Sequence, residues 1–112
     1  EFYNQGLVIL HEAGDPVGEE RVLNEIGDIY IVHEQYDQAL EIYRELLMIA
    51  RETDNWEGEM DTLCSIGDMY QHKDQYDMAS EYFYKALDIA KEKEDDISEV
   101  ILLEQIDALP KE

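Results

Sequence analysis

Apolar positions along the chain recur first at helical spacing and then, on a longer scale, as a repeated whole. Leu23, Ile26 and Tyr30 stand at i, i+3 and i+7, which gives one apolar stripe on a helix. The polar run His33-Glu34-Gln35 interrupts that stripe, and Ala39, Tyr43, Leu46 and Ala50 then mark one side of a second helix. At an offset of 40 residues the succession returns as Leu63, Ile66 and Tyr70, then Lys73-Asp74-Gln75, then Ala79, Phe83, Ala86 and Ala90. Leu40, Ile42, Leu47 and Ile49 put further apolar surface on other sides of the second helix, so more than one neighbour must cover it.

The same offset aligns identities. Gly18-Glu19 falls on Gly58-Glu59, Ile26-Gly27-Asp28 on Ile66-Gly67-Asp68, and Gln35-Tyr36-Asp37 on Gln75-Tyr76-Asp77. Leu23, Tyr30, Ala39, Glu41, Leu47, Ile49 and Ala50 each meet the same residue type forty positions on. Chance does not place so many matches in one phase. Two complete units therefore run over 18–57 and 58–97, each reading as two helices. The first helix starts after Asp15-Pro16 or Asp54-Asn55 and runs to about Val32 or His72.

Glycine inside a helix costs about 1 kcal/mol relative to alanine, so its recurrence at Gly27 and Gly67 calls for a packing reason. The expectation is close helix–helix approach against Ala39 and Ala79, with Tyr30, Tyr43, Tyr70 and Phe83 filling the wider gaps beside it. The ends keep the register. Residues 1–13 align with 41–53 (Tyr3 under Tyr43, Leu7 under Leu47), so 1–15 reads as the second helix of an incomplete preceding repeat. Residues 98–109 align with 58–69, so 98–112 reads as the first helix of an incomplete following repeat, stopped by Pro110. The chain begins at Glu1 without an initiator methionine and reads as a piece of a longer array.

These residues resemble the tetratricopeptide repeat. Its pattern of a large apolar residue, then Leu-Gly-x-x-Tyr, then Ala-x-x-x-Phe is met by Leu23, Ile26-Gly27, Tyr30, Ala39 and Tyr43, and again by Leu63, Ile66-Gly67, Tyr70, Ala79 and Phe83. Arg51 and Lys91 replace the family's proline, and the period is 40 where the family has about 34. Six extra residues add about 9 Å of helix. This longer form is similar to the repeats of kinesin light chains, LGN/Pins-type adaptors and bacterial Rap proteins. The resemblance implies an all-α fold, a right-handed α-solenoid of antiparallel helical hairpins, acting in protein–protein interaction.

Charge narrows the partners. Against 8 Lys+Arg stand 29 Asp+Glu, a formal net charge of −21, while the apolar fraction of 45% is that of a globular chain. So few basic residues cannot track nucleic-acid phosphates, and an anionic membrane would repel the chain. No apolar run approaches the roughly 20 residues of a bilayer span, and a single cysteine, Cys64, excludes an internal disulfide and suits a reducing cytoplasm. No nucleophile–base pair, metal-ligand spacing or phosphate loop stands out, so neither catalysis nor a cofactor is expected. His33-Glu34-Gln35-Tyr36-Asp37 begins like a zinc-protease helix, but Asp37 takes the second histidine's place and the segment crosses a turn. His11, His33 and His72 fall at unrelated phases. Cys64 reads as a small packing residue, and Trp56 as cover for an exposed edge between repeats or as a partner anchor.

In the family that the chain resembles, the first helices line a concave groove away from their core stripe. Mapped onto this sequence, that face is Arg21, Asn24, Asp28, Ile31 and Val32 in the first unit, and Asp61, Cys64, Asp68, Gln71 and His72 in the second. The last helix adds Ile101, Glu104 and Gln105. Aspartates at 28 and 68 oppose capture of an acidic peptide tail, and a basic or amphipathic segment is the complementary partner. The acidity also fits a merely solvated surface. Two other classes stay open: a regulatory or sensor region of a larger signalling protein, and a self-assembling structural module. For the latter, residues 1–13 of one copy would follow 98–109 of another in weak head-to-tail contact, strengthened as salt screens the charge.

Overall fold

The computed structural model describes residues 16–110; the helix expected over 1–13 lies outside the described residues, as does His11. The described residues form five helices and no strand: α1 (Pro16–Val32), α2 (Tyr36–Glu52), α3 (Trp56–His72), α4 (Tyr76–Glu92) and α5 (Asp96–Ala108). Helices begin at 16, 36, 56, 76 and 96, so the forty-residue sequence repeat is two structural steps of twenty. Trp56, expected in a connection, is the first residue of α3 and half-buried.

Each connection is three residues long, and all four close in one way. Glu34, Asp54, Asp74 and Glu94 take left-handed φ values of 57°, 53°, 60° and 57°. The N–H of each left-handed residue donates three residues back, and the next N–H donates five back: Glu34 to Ile31 and Gln35 to Tyr30, for example, at 3.0 and 2.8 Å. The same pair recurs as Asp54 to Arg51 and Asn55 to Ala50, Asp74 to Gln71 and Gln75 to Tyr70, Glu94 to Lys91 and Asp95 to Ala90. This is the Schellman closure, which satisfies carbonyls that a helix end would otherwise leave open. Asp95 then caps α5, accepting from Ser98 N at 3.2 Å and from Ser98 Oγ at 2.7 Å. That cap sets the start of α5 at Asp96, two residues ahead of the 98 expected from the repeat boundary.

The chain divides into two compact units between Asn55 and Trp56. In the first, α1 packs on α2, and Leu23, Ile26, Ala39, Tyr43, Leu46 and Ala50 are buried. In the second, α3 packs on α4 and α4 on α5, with Leu63, Ile66, Phe83, Ala86, Leu87 and Ala90 buried together with Leu102 of α5 and Leu109 at its C-terminal cap. Burying each such large side chain contributes about 1.5–3 kcal/mol.

The repeated glycines pack closely, but against aromatic rings and not against alanines. A Cβ on Gly67 would lie 2.7 Å from Phe83 Cε1 and 2.8 Å from its Cδ1; one on Gly27 would lie 3.0 Å from Tyr43 Cε1. The ring edge of the second helix enters the notch left by the missing side chain. Tyr43 and Phe83 thus make the close contact that was expected of Ala39 and Ala79, and the two alanines are buried elsewhere on the same stripe.

Candidate functional site

Every residue of the expected binding face keeps at least part of its surface open to solvent. On α1, Arg21, Asn24, Asp28 and Val32 are exposed and Ile31 is half-buried; Val32 alone is 78% exposed. On α3, Asp61, Asp68 and His72 are exposed while Cys64 and Gln71 are half-buried. On α5, Ile101 and Glu104 are exposed and Gln105 is half-buried. The side opposite is core in each helix, through Leu23 and Ile26 on α1, Leu63 and Ile66 on α3, and Leu102 on α5.

The α3 face has the most distinct electrostatics. Asp61, Cys64 and Asp68 follow at i, i+3 and i+7, one turn apart on one side. Partial burial pushes the Asp61 carboxyl above the usual carboxylate range, and Glu57 and then Asp95 raise it further. Asp68 is likewise raised by burial, against a smaller lowering influence of His72. His72 Nδ1 lies 2.9 Å from the Asp68 carbonyl oxygen one turn back. Between the two aspartates, burial pushes the Cys64 thiol up to about 12, with Asp61 and Asp68 adding to the shift. A thiol held neutral is a poor nucleophile and a poor metal ligand.

Two lysines of the second unit lie over aromatic rings. Lys73 Nζ stands 5.9 Å over the Tyr70 ring and Lys85 Nζ 4.6 Å over the Tyr82 ring, and those two rings stack at 5.6 Å. Lys85 also approaches Glu81 at 4.0 Å. No group of three or more His, Cys, Asp or Glu among the described residues is arranged to hold a metal ion. None of the described helices is long and apolar enough to cross a membrane.

Two features of this face lay outside the sequence expectation. Asp95 appears in the sequence as one of a run of acids, and the structure makes it the cap of α5. Ile97, ahead of the helix start expected at 98, is 76% exposed. The signal for Ile97 was present in the repeat, since it stands forty residues after Glu57, as Ile101 stands after Asp61.

Paired helices at a fixed spacing, glycine notches filled by aromatic rings, and an open side on each first helix define a helical-hairpin repeat protein. A family model of the tetratricopeptide repeat matches residues 19–92, and the chain belongs to that family. Repeats of this family are generally protein–protein interaction modules and typically non-enzymatic scaffolds. No curated protein sequence matches the chain.

Proposed function

We propose that the chain binds a basic or amphipathic segment of another protein on the open sides of its first helices: α3 and α5 in the second unit and, separately, α1 in the first. The observation that carries this reading is the α3 face. Asp61 and Asp68 are kept on partly desolvated positions where their charge is disfavoured, and the groups that act on Asp61 are themselves acidic. A cation from a ligand relieves that crowding, whereas an anion worsens it. In the first unit, α1 carries Asp28 at the position that repeats Asp68. Because the helices are held by their own cores, a partner meets a preformed surface and the scaffold need not order on binding. The forty-residue spacing supports likeness to the longer repeats of kinesin light chains, LGN/Pins-type adaptors and Rap proteins, and the lone Cys64 supports a cytoplasmic setting.

Selection of random displayed peptides on the immobilised chain tests the reading. The expected result is enrichment of Lys and Arg, with affinity that falls as salt rises and drops about tenfold on Asp28→Lys with Asp68→Lys. Selected sequences without basic enrichment, or affinities unmoved by both reversals, would refute it.

A further inference from the structure

A cleft opens between α4 and the end of α5, wholly within the second unit. Tyr76, Ser80 and Tyr84 follow at i, i+4 and i+8 and so share one side of α4, with Asp77 next to Tyr76. Ile106, Leu109 and Pro110 complete the lining. A residue that precedes proline disfavours the helical conformation; Leu109 is extended at ψ 137°, so α5 ends there and Leu109 and Pro110 serve as cleft wall. The cleft holds about 250 Å³, below the roughly 300–1,000 Å³ of sites that enclose a whole small ligand, and so has the size for a single side chain. Its lining is of three kinds: two phenol rings, a carboxylate with a hydroxyl, and an aliphatic wall. Tyr84 is 50% exposed and offers its ring to solvent. Tyr76 donates its hydroxyl to Asp74 Oδ1 at 2.8 Å, which holds that ring in place and, by loading the phenol with a carboxylate, strengthens its attraction for a cation.

We propose that this cleft takes one arginine side chain of a partner protein. The aliphatic stem would lie along Ile106, Leu109 and Pro110, the guanidinium plane against a tyrosine ring, and its N–H groups on the Asp77 carboxylate and the Ser80 hydroxyl oxygen. Charge complementarity selects a cation: Asp77 lines the cleft, Asp74 is bonded to its Tyr76 ring, and no Lys, Arg or His is among the described lining residues. Arginine suits this mixture better than lysine, because its weakly hydrated plane stacks on a ring while its edge forks onto a carboxylate. Lys85 over Tyr82 shows the same attraction of cation for ring within α4. The repeat marks the cleft as particular to the second unit. Tyr76 and Asp77 repeat Tyr36 and Asp37, but Ser80 and Tyr84 stand forty residues after Leu40 and Arg44. That side of α2 carries a guanidinium of its own, whereas α4 has a tyrosine in its place and the cation has to come from outside. The cleft uses none of the residues of the first-helix face and so stands independently of the reading above.

Titration of the whole chain with the end-blocked peptides Ala-Arg-Ala, Ala-Lys-Ala and Ala-Glu-Ala at physiological salt, followed by amide NMR spectra, tests the proposal. Ala-Arg-Ala should move the signals of residues 76–84 and 106–109, Ala-Lys-Ala should bind more weakly, and Ala-Glu-Ala should not bind. Asp77→Asn and Tyr84→Leu should each weaken the arginine peptide about fivefold, while Tyr84→Phe, which keeps the ring, should bind as the unaltered chain does. Asp28→Lys with Asp68→Lys should change the affinity by less than about twofold, since salt screens charges outside the cleft. Shifts scattered over the acidic residues of the whole chain, or an affinity unmoved by Asp77→Asn and Tyr84→Leu, would overturn the site. Equal binding of the lysine peptide would overturn the assignment to arginine. Binding that appears only in Lys111→Ala would give the cleft to the chain's own lysine and overturn the partner.

Discussion

Gly67→Ala should destabilise the protein, against the usual trend for glycine in a helix. Alanine in a helix interior is favoured over glycine by about 1 kcal/mol, and Gly67 lies in the middle of α3. The added Cβ would meet Phe83 Cε1, Cδ1 and Cζ at 2.7, 2.8 and 3.0 Å. Carbon atoms attract best at about 3.5–4.0 Å, so three ring atoms must retreat by most of an ångström. Phe83 is fully buried and has no open space to retreat into. Overpacking of this kind costs about 1–3 kcal/mol, and three simultaneous contacts argue for the upper part of that range. The net expectation is a loss of about 1–2 kcal/mol. Gly27→Ala supplies the comparison. Its Cβ would meet Tyr43 Cε1 at 3.0 Å, Cζ at 3.3 Å and the hydroxyl at 3.5 Å, so a small shift of the ring end suffices and the net change should lie near zero. Urea unfolding followed by far-UV circular dichroism reads both. Phe83→Leu removes the ring, and in that background Gly67→Ala should become neutral or stabilising, with a coupling of about 1–2 kcal/mol. A stabilising Gly67→Ala in the unaltered chain, or no coupling to position 83, would show that the notch does not explain the glycine.

The turns offer a perturbation of opposite sign. Glu34→Gly and Glu94→Gly should each stabilise by about 0.5 kcal/mol, because the left-handed backbone that costs an L-residue about 1 kcal/mol is free for glycine, whose own chain entropy offsets part of the gain. A thermal melt should show a rise of about 2–4 °C for each, and a fall would mean that the acidic side chains hold the turns in another way. Acidification is the other test. Asp61 and Asp68 have carboxyls raised above the unfolded value, so the native state binds protons before the unfolded one. Their contribution to stability therefore grows as pH falls from 7 through the raised values, and it stops growing once the unfolded carboxylates protonate near about 3.9. Asp61→Asn with Asp68→Asn should raise the melting temperature at pH 7 and flatten its dependence on pH; an unaltered profile would show that neither carboxyl is shifted.

The scaffold was legible because its constraints repeat. Helix ends near Val32 and His72, polar breaks at 33–35 and 73–75, and core residues at Leu23, Ile26, Ala39 and their copies all follow from a stripe that recurs in phase. What the sequence hid was how the glycine is used. Gly27 and Gly67 announce close packing, but whether a small or a large residue fills the space depends on helix–helix geometry, and here the aromatic six-membered ring enters where alanine was expected. The twenty-residue rhythm was hidden for a related reason. Glu34, Asp54, Asp74 and Glu94 are not turn-forming glycines, so the four equal turns leave only a weak mark on composition.

The proposed binding face was legible only through the family resemblance, and there is a physical reason for that. Positions that pack the hairpins are repeated because each hairpin solves the same packing problem, so they carry no information about what is bound. Positions facing solvent are free to diverge, and they do: Arg21, Asp61 and Ile101 are forty residues apart in turn, as are Asn24, Cys64 and Glu104. A ligand lying along equal repeated surfaces could slide by one repeat at no cost, and its register would be undefined. Register therefore has to be set where the repeat is broken, by one aliphatic position against one acidic position or one cation. On this chain the strongest such break is the change from Glu57 and Asp61 on α3 to Ile97 and Ile101 on α5. A partner that places Lys or Arg on the first pair and aliphatic residues on the second has one register, since displacement by a repeat would set its charges on isoleucine and leave them unpaired.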